Sequence, residues 1–320
     1  MGCSETNIMT IEKPYYYAKV NMNNCPRAIA INGFEIERDL DGEGKLINEY
    51  PINPYIREGE NTLELIFPNE EFMKDVSTFD SKCNVSIWVK GTANKKDINL
   101  KITDLDYLLD FSLSSKARFS NSEKSGTYKY NLNANSLETT SSGNVIIGDI
   151  SLENELFEGA GDRLQRTFTA HVPFPQWKFF SAERIFEYPM TDEKFFNMEN
   201  EVWPLVQSIW DLFDKKDVEG VLFLFAERSA EYDLAFYREK GETLRLLRES
   251  IQSNYDEGYP LNRLDLENMQ LNVAYNEKLV TMQNAGTGNG TVMFYYQEAD
   301  MNIFYDVYWM KIDGKWVIGR

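Results

Sequence analysis

The stretch "NEVWPLVQSIWDLFDKKDVEGVLFLFAERS", residues 200–229, is where the chain changes its apolar period from two to 3.6. Val202, Leu205, Val206, Ile209, Leu212 and Phe213 recur at helical spacing and form one stripe. Asn200 stands where an N-cap is needed, and Pro204 fits a first turn. A second helix follows at once, with Asp217 placed to cap it and Val218, Val221, Leu222 and Phe225 facing inward. A third, around "GETLRLLRESIQ" (241–252), turns Leu244, Leu247 and Ile251 to the core. Strands then run to the end: "NMQLNVAYN", "EKLVTMQN", "GTVMFYYQE", "NIFYDVYWMK" and "KWVIGR". Asp313-Gly314 closes the last pair as a hairpin. Helices first and a curled antiparallel sheet last describe an α+β domain over 189–320.

Upstream, residues 14–188 read as a β-sandwich. Short alternating runs are separated by Gly, Asn, Asp and Pro clusters, with turns at Asn32-Gly33, Asp41-Gly42 and Glu58-Gly59. Leu63, Leu65 and Phe67 line one face of a strand, and Val85, Ile87 and Val89 repeat the alternation. Residues 111–145 are rich in Ser, Asn, Lys and Thr and read either as exposed hairpins with long loops or as partly disordered. Pro173 and Pro175 mark an edge or connecting segment. The fold class expected is therefore α+β multidomain: a sandwich, then helices packed on a curved sheet.

Three segments of the C-terminal part carry a resemblance. "SIWDLFDKKDVEGVLFLFAER" looks like the opening helix pair of the nuclear-transport-factor-two-like (SnoaL-like) family, and "YREKGETLRLLRESI" resembles its glycine-led third helix. "FYDVYWMKIDGKWVIGR" resembles its closing aromatic strand, Asp-Gly-Lys turn and Trp-x-Ile. The similarity covers about 195–320 and implies a cone-shaped sheet whose open end is plugged by Trp316 and Ile318. Between Ala226 and Gly241 the chain departs from the pattern, because "ERSAEYDLAFYREK" reads as more helix. The family's open sheet face often pairs, so the resemblance also implies a homodimer as an arrangement to expect. Separately, "IREGENTLELIF" looks like a phrase of extracellular immunoglobulin-like and carbohydrate-binding sandwiches.

Composition narrows the partners. The chain has 51 Asp+Glu against 33 Lys+Arg, a formal charge of −18, which argues against nucleic acid and against an anionic membrane surface. A basic protein would be steered towards it. No apolar run is long enough to span a bilayer, so membrane attachment is expected only through lipid. Two lipid readings of the opening "MGCSETNIMT" stay open. Gly2-Cys3-Ser4 resembles the processing site of a bacterial lipoprotein, with Cys3 lipidated and residues 1–13 a tether. Alternatively, Met1-Gly2 with Thr6 matches the myristoylation pattern, and Cys3 is available for palmitoylation. The lipoprotein reading is preferred, because the rest of the chain reads as exported; it implies the cell envelope, periplasmic or surface-exposed. Cys25 and Cys83 are then left to pair as a disulfide worth about 4 kcal/mol in the chain-entropy model, or stay as buried thiols.

Little in the sequence carries chemistry. There is no CxxC and one histidine, His171, read as structural or exposed, so no metal site, cofactor or catalytic residue is expected. "AGTGNGT" (285–291) lacks the GK[ST] ending of a phosphate loop and reads as a hairpin loop. Enzymes of the resembled family use an Asp–His or Asp–Tyr pair inside the cone. The matching candidates are Asp233 beside Tyr232, and Asp306 flanked by Tyr305 and Tyr308. By alternation Asp306 shares a face with Phe304, Tyr308 and Met310, while Tyr305 points opposite with Val307 and Trp309. With Tyr295, these make the candidate ligand or partner contacts: Tyr232, Asp233, Tyr295, Tyr305, Asp306 and Trp309. The function expected is a non-enzymatic, lipid-anchored binding protein, most concretely an immunity-type inhibitor of a basic secreted toxin. A small-ligand or enzymatic cone, and a glycan-binding surface lipoprotein, are the alternatives.

Overall fold

The computed structural model describes residues 13–23, 27–39, 44–66, 82–91, 105–114, 145–153, 163–185, 191–264, 266–274, 278–284 and 290–320. It is a mixed helix-and-sheet protein, with strands in the N-terminal part and three helices plus sheet in the C-terminal part. Two compact units divide between Phe174 and Pro175, ahead of the change of period near 189. Trp177 belongs to the second unit, where it meets Tyr232 edge-on at 4.9 Å. No helix among the described residues is long and apolar enough to cross a membrane.

In the first unit a four-stranded antiparallel sheet runs β4 (Lys45–Pro51), β1 (Pro14–Asn23), β6 (Lys82–Gly91), β7 (Leu105–Ser114). Alternation decides the buried face of β1: Tyr16, Ala18, Val20 and Met22 are all 0% exposed. The other sheet orders β3 (Phe34–Asp39), β2 (Arg27–Ile31), β5 (Gly59–Ile66), β9 (Arg163–Ala170), β8 (Val145–Glu153). The Asn32-Gly33 turn joins β2 to β3 with both residues at positive φ, 54° and 77°, as a two-residue hairpin requires. Asn32 is also buried there. Its Nδ2 donates to the Tyr55 carbonyl (2.6 Å) and to Asn61 Oδ1 (2.8 Å), and its Oδ1 accepts from the Thr62 amide (2.9 Å). Cys3, Cys25, Asp41-Gly42, Phe67 and residues 115–144 lie outside the described residues, while Cys83 stands in β6 opposite Met22 of β1.

The second unit opens its helices with α1 (Asp192–Asp214), α2 (Val218–Ala235) and α3 (Glu242–Asp256). α1 begins eight residues before the expected cap. Thr191 is its N-cap, with Oγ1 accepting from the Lys194 amide at 3.3 Å, so Asn200 and Pro204 lie inside the helix. Pro204 cannot donate to the Asn200 carbonyl, a loss a helix tolerates best where, as here, both residues are exposed. Asp217 caps α2 as expected, its Oδ1 accepting from the Gly220 amide at 2.9 Å. The helix runs on to Ala235, through the segment that departs from the resembled pattern.

The sheet of this unit orders β10 (Met269–Ala274), β11 (Leu279–Asn284), β14 (Trp309–Ile312), β15 (Lys315–Ile318), beside a separate pair, β12 (Val292–Tyr296) and β13 (Met301–Tyr305). The single expected strand 302–311 is thus two strands, broken at Asp306–Tyr308. Val202, Val206, Ile209 and Phe213 of α1 share the core with Phe225, Ile251, Val280, Phe294 and Trp309.

Candidate functional site

Asp233 lies on the last turn of α2 and is buried. Its Oδ2 accepts from the Gly241 amide at 2.6 Å; its Oδ1 accepts from the Thr243 amide (2.9 Å) and hydroxyl (2.6 Å). Gly241, the N-cap of α3, adopts φ 85° and offers no side chain. Asp233 therefore does from the neighbouring helix what an N-cap residue does locally, placing a carboxylate at the positive end of α3. Its oxygens are committed to this corner. The preceding Tyr232 points elsewhere: its ring meets Trp177 edge-on, stacks on Phe236 at 5.6 Å, and carries the Arg228 guanidinium at 5.0 Å.

Tyr305 is a core residue with a satisfied hydroxyl. Asn254 Nδ2 donates to it at 2.8 Å and Ser250 Oγ lies 2.9 Å away. Its ring contacts Phe213 at 5.1 Å, and burial raises its pKa against the pull of those two hydrogen bonds. Nearby Tyr255 donates to the Phe213 carbonyl, and burial first, then Tyr305 and Asp214, push its pKa up to about 12. Trp309 is 3% exposed, paired with Val280 on one side and Ile318 on the other, and its buried indole N–H has no hydrogen-bond partner among the described residues.

The alternation expected around Asp306 holds from 304 to 309 and then stops. Tyr305, Val307 and Trp309 are buried while Phe304 and Asp306 are exposed, but Met310 is buried too. Asp306 keeps solvent access with a crowded carboxyl: Oδ1 lies 2.6 Å from where a Cβ on Gly290 would stand. That crowding raises its pKa, opposed by the charge of Arg228. Tyr295 is on the outer part of the β12–β13 pair, donating to Asp300 Oδ1 at 2.7 Å, which raises the phenol's pKa.

The six candidates thus fall into separate settings. Asp233 belongs to the α2–α3 corner, Tyr232 to the cluster with Trp177, Phe236 and Arg228, Tyr305 and Trp309 to the core, and Tyr295 and Asp306 to the surface around the β12–β13 pair. Sequence reasoning passed over Arg228, whose guanidinium lies over the Tyr232 ring and whose charge acts on Asp306, and the exposed Met301 and Asp300. The run "EADMNIFYD" held the second signal: an apolar strand with an aspartate at each end. His171, exposed as expected, is paired through Nδ1 with Glu58 Oε1 at 2.7 Å, a partner too distant in the chain for local reading. Among the described residues no group of His, Cys, Asp and Glu is arranged to hold a metal ion. No protein-family model, no characterised protein and no solved structure matches the chain.

Proposed function

We propose that this is a lipid-anchored protein of the cell envelope, a β-sandwich followed by a cone-shaped α+β domain, which acts by holding a basic protein partner. The most concrete form is an immunity-type inhibitor that neutralises a secreted toxin. The observation that carries the reading is electrostatic: a formal charge of −18, with Asp300 and Asp306 exposed near Tyr295 and Phe304, which share one face of the β12–β13 pair. Aromatic groups rimmed by charge are a common composition for a protein-recognition surface. A small-ligand reading is less well supported, because Phe213, Phe225 and Phe294 occupy the interior between the helices and the strands.

The test is affinity capture on the immobilised chain from secreted material of the source organism and its relatives, followed by kinetics. The expected result is one stoichiometric basic enzyme whose activity falls on binding and whose association rate drops as salt rises. Retention of nothing, or an association rate indifferent to salt, would overturn it.

A further inference from the structure

Among the described residues, β13 pairs with β12 alone. The far side of β12 is taken by residues 260–262: the Asn262 amide donates to the Met293 carbonyl at 2.8 Å, and the Tyr295 amide donates to the Pro260 carbonyl at 3.1 Å. β15 covers the corresponding side of β14, and its pairing extends as far as Tyr308, through Gly319 and Arg320. The outer backbone of Met301–Phe304 therefore has no strand beside it among the described residues.

Natural sheets protect such edges with lysine, proline, a bulge or a short strand. β4, at the edge of the first unit, follows that rule with Lys45 and Pro51. The β13 sequence "MNIFY" has no Lys, Arg or Pro, its register with β12 is unbroken, and Met301 and Phe304 are 50% and 37% exposed. What it does have is an exposed aspartate at each end, Asp300 and Asp306, with Glu298 beyond. Arg228 offsets part of the Asp306 charge; Asp300 is bonded to the Tyr295 hydroxyl, which leaves its charge in place.

We propose that β13 receives a strand from the partner: an extended segment with an apolar middle and a lysine or arginine at each end, added to the open edge by backbone hydrogen bonding. The inference rests on the protein-partner reading above and says which surface and which kind of segment meet. Strand geometry puts the two aspartates about 20 Å apart, so the basic residues of the incoming segment are spaced likewise. A second copy of this chain fits poorly, because antiparallel self-pairing sets Asp300 of one copy against Asp306 of the other.

The test uses the full chain and the synthetic peptide Lys-Val-Thr-Val-Thr-Val-Lys, a Glu-ended counterpart, and a version N-methylated along one backbone edge. Calorimetry measures binding, and hydrogen exchange locates it. The Lys-ended peptide is expected to bind and protect amides within 301–305, the other two to bind about tenfold more weakly or not at all. Asp300→Lys with Asp306→Lys is expected to reverse the preference towards the Glu-ended peptide, with its melting curve checking that it folds. No binding of the Lys-ended peptide, equal binding of all three, or protection elsewhere overturns the proposal. The two readings fail separately. A captured partner that binds the charge-reversed chain as well as the native one removes the edge and keeps the partner. Peptide binding without any captured basic protein does the opposite.

Discussion

Asp233 replaces three donors' worth of water at the start of α3, so removing its carboxylate leaves the Gly241 and Thr243 amides without their acceptor. Asp233→Ala is expected to destabilise the second unit by about 2 kcal/mol, the range of a lost cap in a buried setting, read as a lower urea midpoint. An unchanged midpoint would contradict the capping role. Tyr305→Phe is a milder probe: it leaves the buried Asn254 amide without its acceptor and is expected to cost about 1–2 kcal/mol. The contrast with Asp217 explains what the sequence could reveal. Asp217 caps Gly220 three residues on, within the range of a local rule, and a Cβ on Gly220 would stand 2.7 Å from Asp217 Oδ2. Asp233 reaches Gly241 and Thr243 across the turn between two helices, and no spacing rule marks that. Its neighbour Tyr232 made the pair look like acid–base chemistry, yet the two side chains serve different contacts.

At the scale of the elements, periodicity placed all three helices and most strands of the second unit, and the Asn32-Gly33 and Asp313-Gly314 turns stand where their residues put them. Ends were less legible. The apolar stripe runs back through Met198 and Phe195, both packed with the core, but Asn200 and Pro204 imitate a helix start, which hides Thr191 as the cap. Because Pro204 interrupts an exposed part of α1, Pro204→Ala is expected to raise the melting temperature; the gain is bounded by about 3 kcal/mol, the usual difference between these residues in a helix interior. A fall would mean that the proline ring packs against something its exposure does not show. The strand 302–311 was read as continuous because its alternation is nearly perfect. The break at Asp306–Tyr308 comes from tertiary pairing: β13 belongs with β12 and β14 with β11 and β15, and no local pattern records a change of partner.

For the whole molecule, charge sets the response to pH and salt. Glu58 is held below its usual pKa, chiefly by the Val172 amide and also by His171; Glu201 is lowered chiefly by its hydrogen bond from Lys311 and also by Trp316. Lowered pKa values contribute stability above about pH 4.5 that disappears as pH falls through the folded values. Glu231 is raised by burial and Asp306 by the crowding of its carboxyl against Gly290, so their ionised forms cost stability near neutrality, and that cost is relieved on mild acidification. Approach to the pI of 4.6 relieves self-repulsion in the same direction. The urea midpoint is therefore expected to peak at about pH 5–6 and to fall below pH 4.5, and at pH 7 added salt should raise it. A maximum above pH 7 would contradict this. β15 runs antiparallel to β14, and Gly319 and Arg320 pair with Tyr308 beside the step into β13. Any residues joined after Arg320 are delivered along Met301–Tyr305 at an effective concentration in the millimolar range for a short linker. If β13 receives a partner strand, a basic or apolar tag fused there would compete with it, whereas a proline-interrupted acidic linker would leave the strand accessible.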